Sequence, residues 1–130
     1  MSIKNIIDGS YDVNAPIDIE RLDTSIGTVY LSFNKIGNMC TFQIKNYSFI
    51  ETMPSIGYNI IINMSDDSIT PFKPNENITR DFYLTVAGVP RWCIFTWYVI
   101  MNNIEIYVGS LAANQTINIT NSDPIIYNTD

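Results

Sequence analysis

No imidazole chemistry is open to this chain, because it contains no histidine. Serine, cysteine and metal mechanisms that rely on a histidine base, shuttle or ligand are therefore excluded. The two cysteines, Cys40 and Cys93, each stand alone inside a strand-like run and lack the paired spacing of a zinc site. No glycine-rich phosphate loop or dinucleotide fingerprint is present. Thirteen carboxylates remain. Two of them facing each other across a cleft would make a glycosidase pair, but most fall in turns or on outward strand positions, where they read as solvated charge. Asp66 and Asp67, flanked by Ser65 and Ser68, are the weak metal candidates: loop oxygens at that spacing can hold calcium, although adjacent acids in a loop are ordinarily a polar turn. The expectation is a non-enzyme with no cofactor.

Aromatic side chains are the other candidates for function. Tyr30, Tyr83 and Tyr107 fall on the outward side of their strands, where a ring can stack on a sugar, pack against another subunit, or simply occupy a half-exposed strand site. Trp92–Met101 is apolar on both sides. Cys93, Phe95, Trp97, Val99 and Met101 alternate with Trp92, Ile94, Tyr98 and Ile100, Thr96 being the exception. A two-layer sandwich buries one face of each sheet, so the second face of this strand needs a cover. A long loop, the N-terminal segment or a second subunit could supply it, and in the last case Trp92, Ile94, Tyr98 and Ile100 are the interface.

The elements that must position these residues are strands. Gly27–Ile44 writes out a hairpin: Val29, Leu31 and Phe33 alternate with Thr28, Tyr30 and Ser32, a turn follows at Asn34–Asn38, and Cys40, Phe42 and Ile44 alternate with Met39, Thr41 and Gln43. Tyr58, Ile60, Ile62 and Met64 share a face, as do Phe82, Leu84 and Val86, and Ile104, Ile106 and Val108. Ile117 with Ile119, and Ile125–Tyr127, are short closing strands. Thr52–Gly57 and Ala87–Pro90 read as turns, Asn102-Asn103 as a two-residue turn, and Pro71-Phe72-Lys73-Pro74 as non-helical. Roughly eight strands at a spacing of about 8–12 residues predict an all-β fold, an antiparallel sandwich of jelly-roll type. Residues 1–16 read as an N-terminal lead-in arm and residues 17–130 as a single domain.

A chain of 130 residues can bury a core without staples, and its apolar content of 46% suits a globular domain. Charged residues are only 15% and the net charge is −6, with seven scattered cations. That distribution excludes a nucleic-acid backbone and an anionic membrane surface as partners. The N-terminus lacks the apolar core of a signal peptide, and Trp92–Met101 is about half as long as a membrane span. Buried free thiols are expected at Cys40 and Cys93, with a disulfide as the alternative. Sequons at Asn46, Asn63, Asn77, Asn114 and Asn118 are what so much Asn, Ser and Thr produces by chance. The abundance of Ile and Asn fits an AT-rich genome.

The run Phe33-Asn34-Lys35-Ile36-Gly37-Asn38-Met39-Cys40-Thr41-Phe42 resembles the strand–turn–strand of compact trimeric jelly-roll heads: viral fibre and capsid-decoration proteins, and tumour-necrosis-factor-like or complement-head-like domains. Pro54 and Pro71-Phe72-Lys73-Pro74 are similar to the proline-bearing crossing of such heads, Asn102–Tyr107 to their penultimate hairpin, and Ile125-Ile126-Tyr127 to their last strand. A glycine is usual where Asn103 stands. The likeness spans residues 24–127. It implies a homotrimer displayed on a virion or fibre, with other virion proteins or a host surface glycan or protein as further partners, and no catalytic residues. It also implies a source such as a large DNA virus or its satellite. The rival expectation is a monomeric carbohydrate-binding module.

Overall fold

Ten antiparallel strands make up one curled sheet in a computed structural model of the chain, which describes residues 9–19, 27–45, 47–51, 58–109, 115–120 and 122–129. They are β1 (Gly9–Ile19), β2 (Gly27–Ile36), β3 (Met39–Lys45), β4 (Tyr47–Glu51), β5 (Tyr58–Asn63), β6 (Ile78–Val86), β7 (Val89–Tyr98), β8 (Asn103–Gly109), β9 (Gln115–Ile119) and β10 (Ile125–Asn128). Their order is β10-β3-β2-β1-β5-β8-β7-β6-β9-β4. Curling lays β2 and β3 over β7: Phe42 lies 5.9 Å from Phe95 and 5.8 Å from Trp97, and Phe33 lies 6.4 Å from Trp97, between ring centroids. Two layers result, β10-β3-β2-β1 and β5-β8-β7-β6-β9-β4. This is the antiparallel sandwich that the alternation demands, with ten strands where about eight were legible.

Apart from the second face of β7, the apolar sets read from the described strands turn inward. Val29, Leu31 and Phe33, then Cys40, Phe42 and Ile44, Ile60 and Ile62, Phe82, Leu84 and Val86, Ile104, Ile106 and Val108, and Ile117 and Ile119 are all buried. Period-two alternation is enough to place them, because one face of each strand has a core to meet.

Four local readings need correction. The turn expected over Asn34–Asn38 shrinks to Gly37-Asn38, with Gly37 at a φ of 59°. A positive φ at the first central position is what glycine allows in a tight hairpin turn. The extra length extends β2, and alternation from Phe33 carries Lys35 inward, where it is 2% exposed and its Nζ donates to the Pro71 carbonyl at 2.6 Å. Second, residues 9–16 are not a lead-in. They run along β2 as part of β1, from Gly9↔Lys35 to Pro16↔Thr28, while residues 1–8 lie outside the described part. Pro16 is tolerated because pairing of β1 with β5 begins only at Ile17, so no second ladder asks for its missing N–H.

Third, Pro71 lies inside a short 3-10 helix, Asp67–Phe72. The fixed φ of proline suits that geometry, and six residues need no helical periodicity to be stable. The helix is held by its ends and its buried faces. Phe72 stacks on Phe33 at 4.7 Å and meets Tyr11 at 5.1 Å, and Tyr127 Oη donates to the Phe72 carbonyl at 2.6 Å. Fourth, β7 stops at Tyr98, so Val99, Ile100 and Met101 belong to a four-residue loop rather than a strand. Asn102 carries the left-handed φ, 55°, and Asn103 already begins β8. The reading of Thr52–Gly57 as a turn lies outside the described residues.

Candidate functional site

Because Phe82 and Leu84 face in, Asp81 and Tyr83 of β6 face out. The same rule turns out Trp92, Ile94 and Thr96 of β7, and Glu105 and Tyr107 of β8. Register then decides which of them meet. Tyr83 pairs with Trp92, and Ile94 pairs with Tyr107 on one side and Asp81 on the other. Trp92 is 69% exposed, Ile94 53%, Tyr107 50% and Tyr83 38%. The Trp92 and Tyr83 rings meet edge to face, 5.1 Å apart. At those exposures, three aromatics and an isoleucine present on the order of 400 Å² of apolar surface, the size at which a patch on a lone domain is usually functional. The cover that the second face of β7 requires is not supplied by the described residues at Trp92 and Ile94.

Tight turns keep this face in register. Ala87-Gly88 joins β6 to β7 with both residues at positive φ, 51° and 80°, the pattern of a hairpin turn whose twist matches the strands. On the far side of Tyr83 the pairing of β6 with β9 consists of Thr85↔Asn118 and Val86↔Ile117. A cleft of about 130 Å³ lies there, lined by Tyr83, Leu84, Thr85, Asn118, Thr120, Ser122 and Asp123.

No protein-family model and no curated protein matches the chain. Solved structures do. The C-terminal receptor-binding domain of the avian reovirus fibre sigmaC superposes with a TM-score of 0.58 over 92% of this chain and 75% of its own, at 8% identity. A second crystal form of that domain gives 0.55 over 92% and 77%, at 10% identity. A reovirus attachment protein, sigma1, in complex with alpha-2,3-sialyllactose, gives 0.57 over 95% of this chain and 66% of its own, at 13% identity. The fold is that of a reovirus fibre head. Of the expected group of heads, the likeness falls on the viral fibres.

Within this fibre-head fold, the two sets of candidate residues are regrouped. Trp92 and Ile94, read as an interface, join Tyr83 and Tyr107, read as a ligand platform, on one face. Tyr98 is half-buried at the other end of β7, six residues from Trp92 and so about 20 Å along the strand. Ile100 is 94% exposed at the tip of the loop after β7. Tyr30 is not part of this face. It points outward from the opposite layer, beside Asn14 and Lys45, and its hydroxyl bonds to Asp12. That bond, with a second from Ser32, holds the Asp12 carboxyl below its ordinary value, and the Tyr30 phenol is raised in turn.

Asp66 caps the 3-10 helix: its Oδ1 accepts from Ser68 N at 2.9 Å and from Ser68 Oγ at 2.7 Å, which lowers its pKa. Asp67 stands in the first turn. Among the described residues no three His, Cys, Asp or Glu side chains converge as a metal site, and no helix is long and apolar enough to cross a membrane. Cys40 and Cys93 are buried free thiols, both raised by burial, Cys93 to about 11. Asn118 stands out in the sequence only as a sequon, and Thr120 and Asp123 not at all, since nothing local announces that β9 lies beside β6, some thirty residues earlier.

Proposed function

We propose that this chain is the receptor-binding head of a viral fibre or attachment protein, a non-enzymatic homotrimer displayed on a virion that holds a host surface glycan or protein. The observation that carries this is the fold likeness to sigmaC and sigma1 over nearly the whole chain. The exposed face of β6, β7 and β8 supports the trimer: Trp92, Ile94 and Tyr107 form the centre of the subunit contact, with Tyr83 at its margin, Tyr98 further along β7 and Ile100 in the loop beyond it. A stable interface needs about 800 Å² per partner, and an apolar centre of about half that size with a polar rim of Asp81, Glu105 and Thr96 fits that anatomy. Attachment then works by multivalency, weak single sites made strong by being held together. An AT-rich composition suits a large DNA virus or its satellite as the source, and a tumour-necrosis-factor-like arrangement of subunits would suit the trimer.

The test has two arms. Light scattering behind size exclusion should give three times 14.8 kDa at micromolar concentration. Fluorescent head should decorate susceptible cells saturably, with unlabelled head competing. A monomer that still binds sugar would favour the rival reading, a carbohydrate-binding module using the exposed Tyr83–Trp92 pair. A monomer that binds neither cells nor sugar would sink both.

A further inference from the structure

We propose that the cleft between β6 and β9 binds an uncharged sugar residue. This rests on the attachment reading and deepens it, by naming the chemistry of what the head holds. The cleft begins where the β6–β9 ladder ends. Ala87 N donates to the Thr116 carbonyl at 2.7 Å, and Thr85 and Asn118 are the next partners along. Antiparallel pairing alternates, so residues 87, 85 and 83 turn their main-chain groups toward β9. At Tyr83 the ladder has stopped, and its N–H and C=O face the cleft.

Around that opening stand Thr85, Asn118, Thr120 and Asp123, the Thr85 hydroxyl donating to the Asn118 carbonyl at 3.4 Å. The Tyr83 ring forms the wall nearest β7, and the edge contact from Trp92 fixes its tilt. Ser122 makes the opposite wall rigid. Its Oγ accepts from Ile44 N at 2.9 Å, its N donates to the Ile44 carbonyl at 3.0 Å, and its carbonyl accepts from Gln43 Nε2 at 2.9 Å. These bonds tie the turn that carries Asp123 to β3.

A pyranose offers hydroxyls that donate and accept, and an apolar C–H face. A carboxylate accepts two O–H donors, an amide does both, and a tyrosine ring packs on the C–H face. Among the described residues Asp123 is the one charged group lining the cleft, and the chain carries −6 overall, so sialate, sulfate and phosphate are repelled. About 130 Å³ is below the roughly 300 Å³ at which pockets hold a drug-sized molecule, so the cleft takes the edge of one ring. A second copy seated on β7 and β8 leaves this side of Tyr83 open.

Saturation-transfer NMR on the full chain is the test, with methyl β-galactoside, methyl α-mannoside, N-acetylglucosamine and N-acetylneuraminic acid as probes. At least one neutral sugar should bind saturably in the millimolar range, and N-acetylneuraminic acid should not. Asn118→Ala and Asp123→Ala should each weaken binding tenfold or more with an unchanged circular-dichroism spectrum. Tyr30→Ala, on the opposite layer, should bind as the parent does. Should Asn118→Ala misfold, Asp123→Ala alone decides. The assignment is overturned if none of the three neutral sugars binds, if the cleft variants bind unchanged, or if N-acetylneuraminic acid binds best. Cell decoration separates the two claims: a head that coats cells but ignores these sugars keeps the attachment reading and loses the cleft. A head that binds sugar through the cleft but coats no cell does the reverse.

Discussion

Replacing Trp92 by Ser should dissociate the proposed trimer while leaving the subunit folded. Trp92 is 69% exposed in the single chain. An aromatic side chain carries about 150–250 Å² of surface, so roughly 100–170 Å² would be removed from water when a second copy covers it. At about 25 cal/mol per Å² this is about 2.5–4 kcal/mol for each subunit contact, a hundredfold to thousandfold in affinity. Not all of that reaches the binding free energy, because ordering the interface opposes it. The cost to the subunit itself is much smaller. Trp92 points away from the core and its ring meets Tyr83, so thermal unfolding of the dissociated variant should differ by no more than about 1 kcal/mol from a parent subunit. Light scattering over a dilution series reads the mass, and calorimetry at the lowest concentration reads the subunit. A variant that keeps the parent's mass at every dilution would refute the reasoning, since the contact must then lie elsewhere. So would a variant that loses its fold together with its mass, because Trp92 would then be a core residue.

Three further outcomes test the framework that carries this face. Tyr127→Phe leaves the buried Phe72 carbonyl without its donor and should lower stability by about 1–3 kcal/mol in urea with an unchanged m-value, whereas an unaffected midpoint would mean the bond adds nothing. Both thiols should resist a disulfide reagent at neutral pH and react fully in denaturant, because burial raises each, Cys93 to about 11; rapid labelling of the folded protein would contradict their burial. The Asp66 carboxyl is lowered by its bonds to Ser68, so its contribution is present above the ordinary aspartate range and is lost as the pH falls through the lowered value. Asp66→Asn keeps a capping oxygen but cannot titrate, and its melting temperature should therefore fall less steeply in acid; parallel curves would remove the assignment.

What the sequence disclosed depended on whether a partner element was needed to see it. Period-two alternation places Val29, Leu31, Phe33 and their counterparts in β3, β5, β6, β8 and β9 without knowledge of any neighbour, because the only question is which side is apolar. Lys35 is the complementary case. A lysine beside Gly37 reads as solvated turn, and only the Pro71 carbonyl, brought from the distant 3-10 helix, makes its burial tolerable. The 3-10 helix itself was hidden because two prolines argue against an α-helix and say little about a six-residue turn. In residues 9–16, polar Ser10, Asp12 and Asn14 mask a strand whose other face carries exposed Tyr11, half-buried Val13 and buried Ala15.

The same distinction separates the two halves of the candidate site. That Trp92 and Ile94 need a cover follows from one strand read alone, and the face they share with Tyr83 and Tyr107 follows from two hairpins whose turns are local. The cleft is of another kind. It exists because β9 returns to β6 for two residue pairs and then departs, so that Asn118 and Asp123 arrive beside Tyr83 from the far end of the chain. A strand that splays from its neighbour leaves main-chain donors and acceptors open at one spot. A sandwich held by an alternation so tolerant of sequence that 8–13% identity preserves it can vary that spot freely. The place where the ladder ends is therefore where surface groups can change without loss of the core.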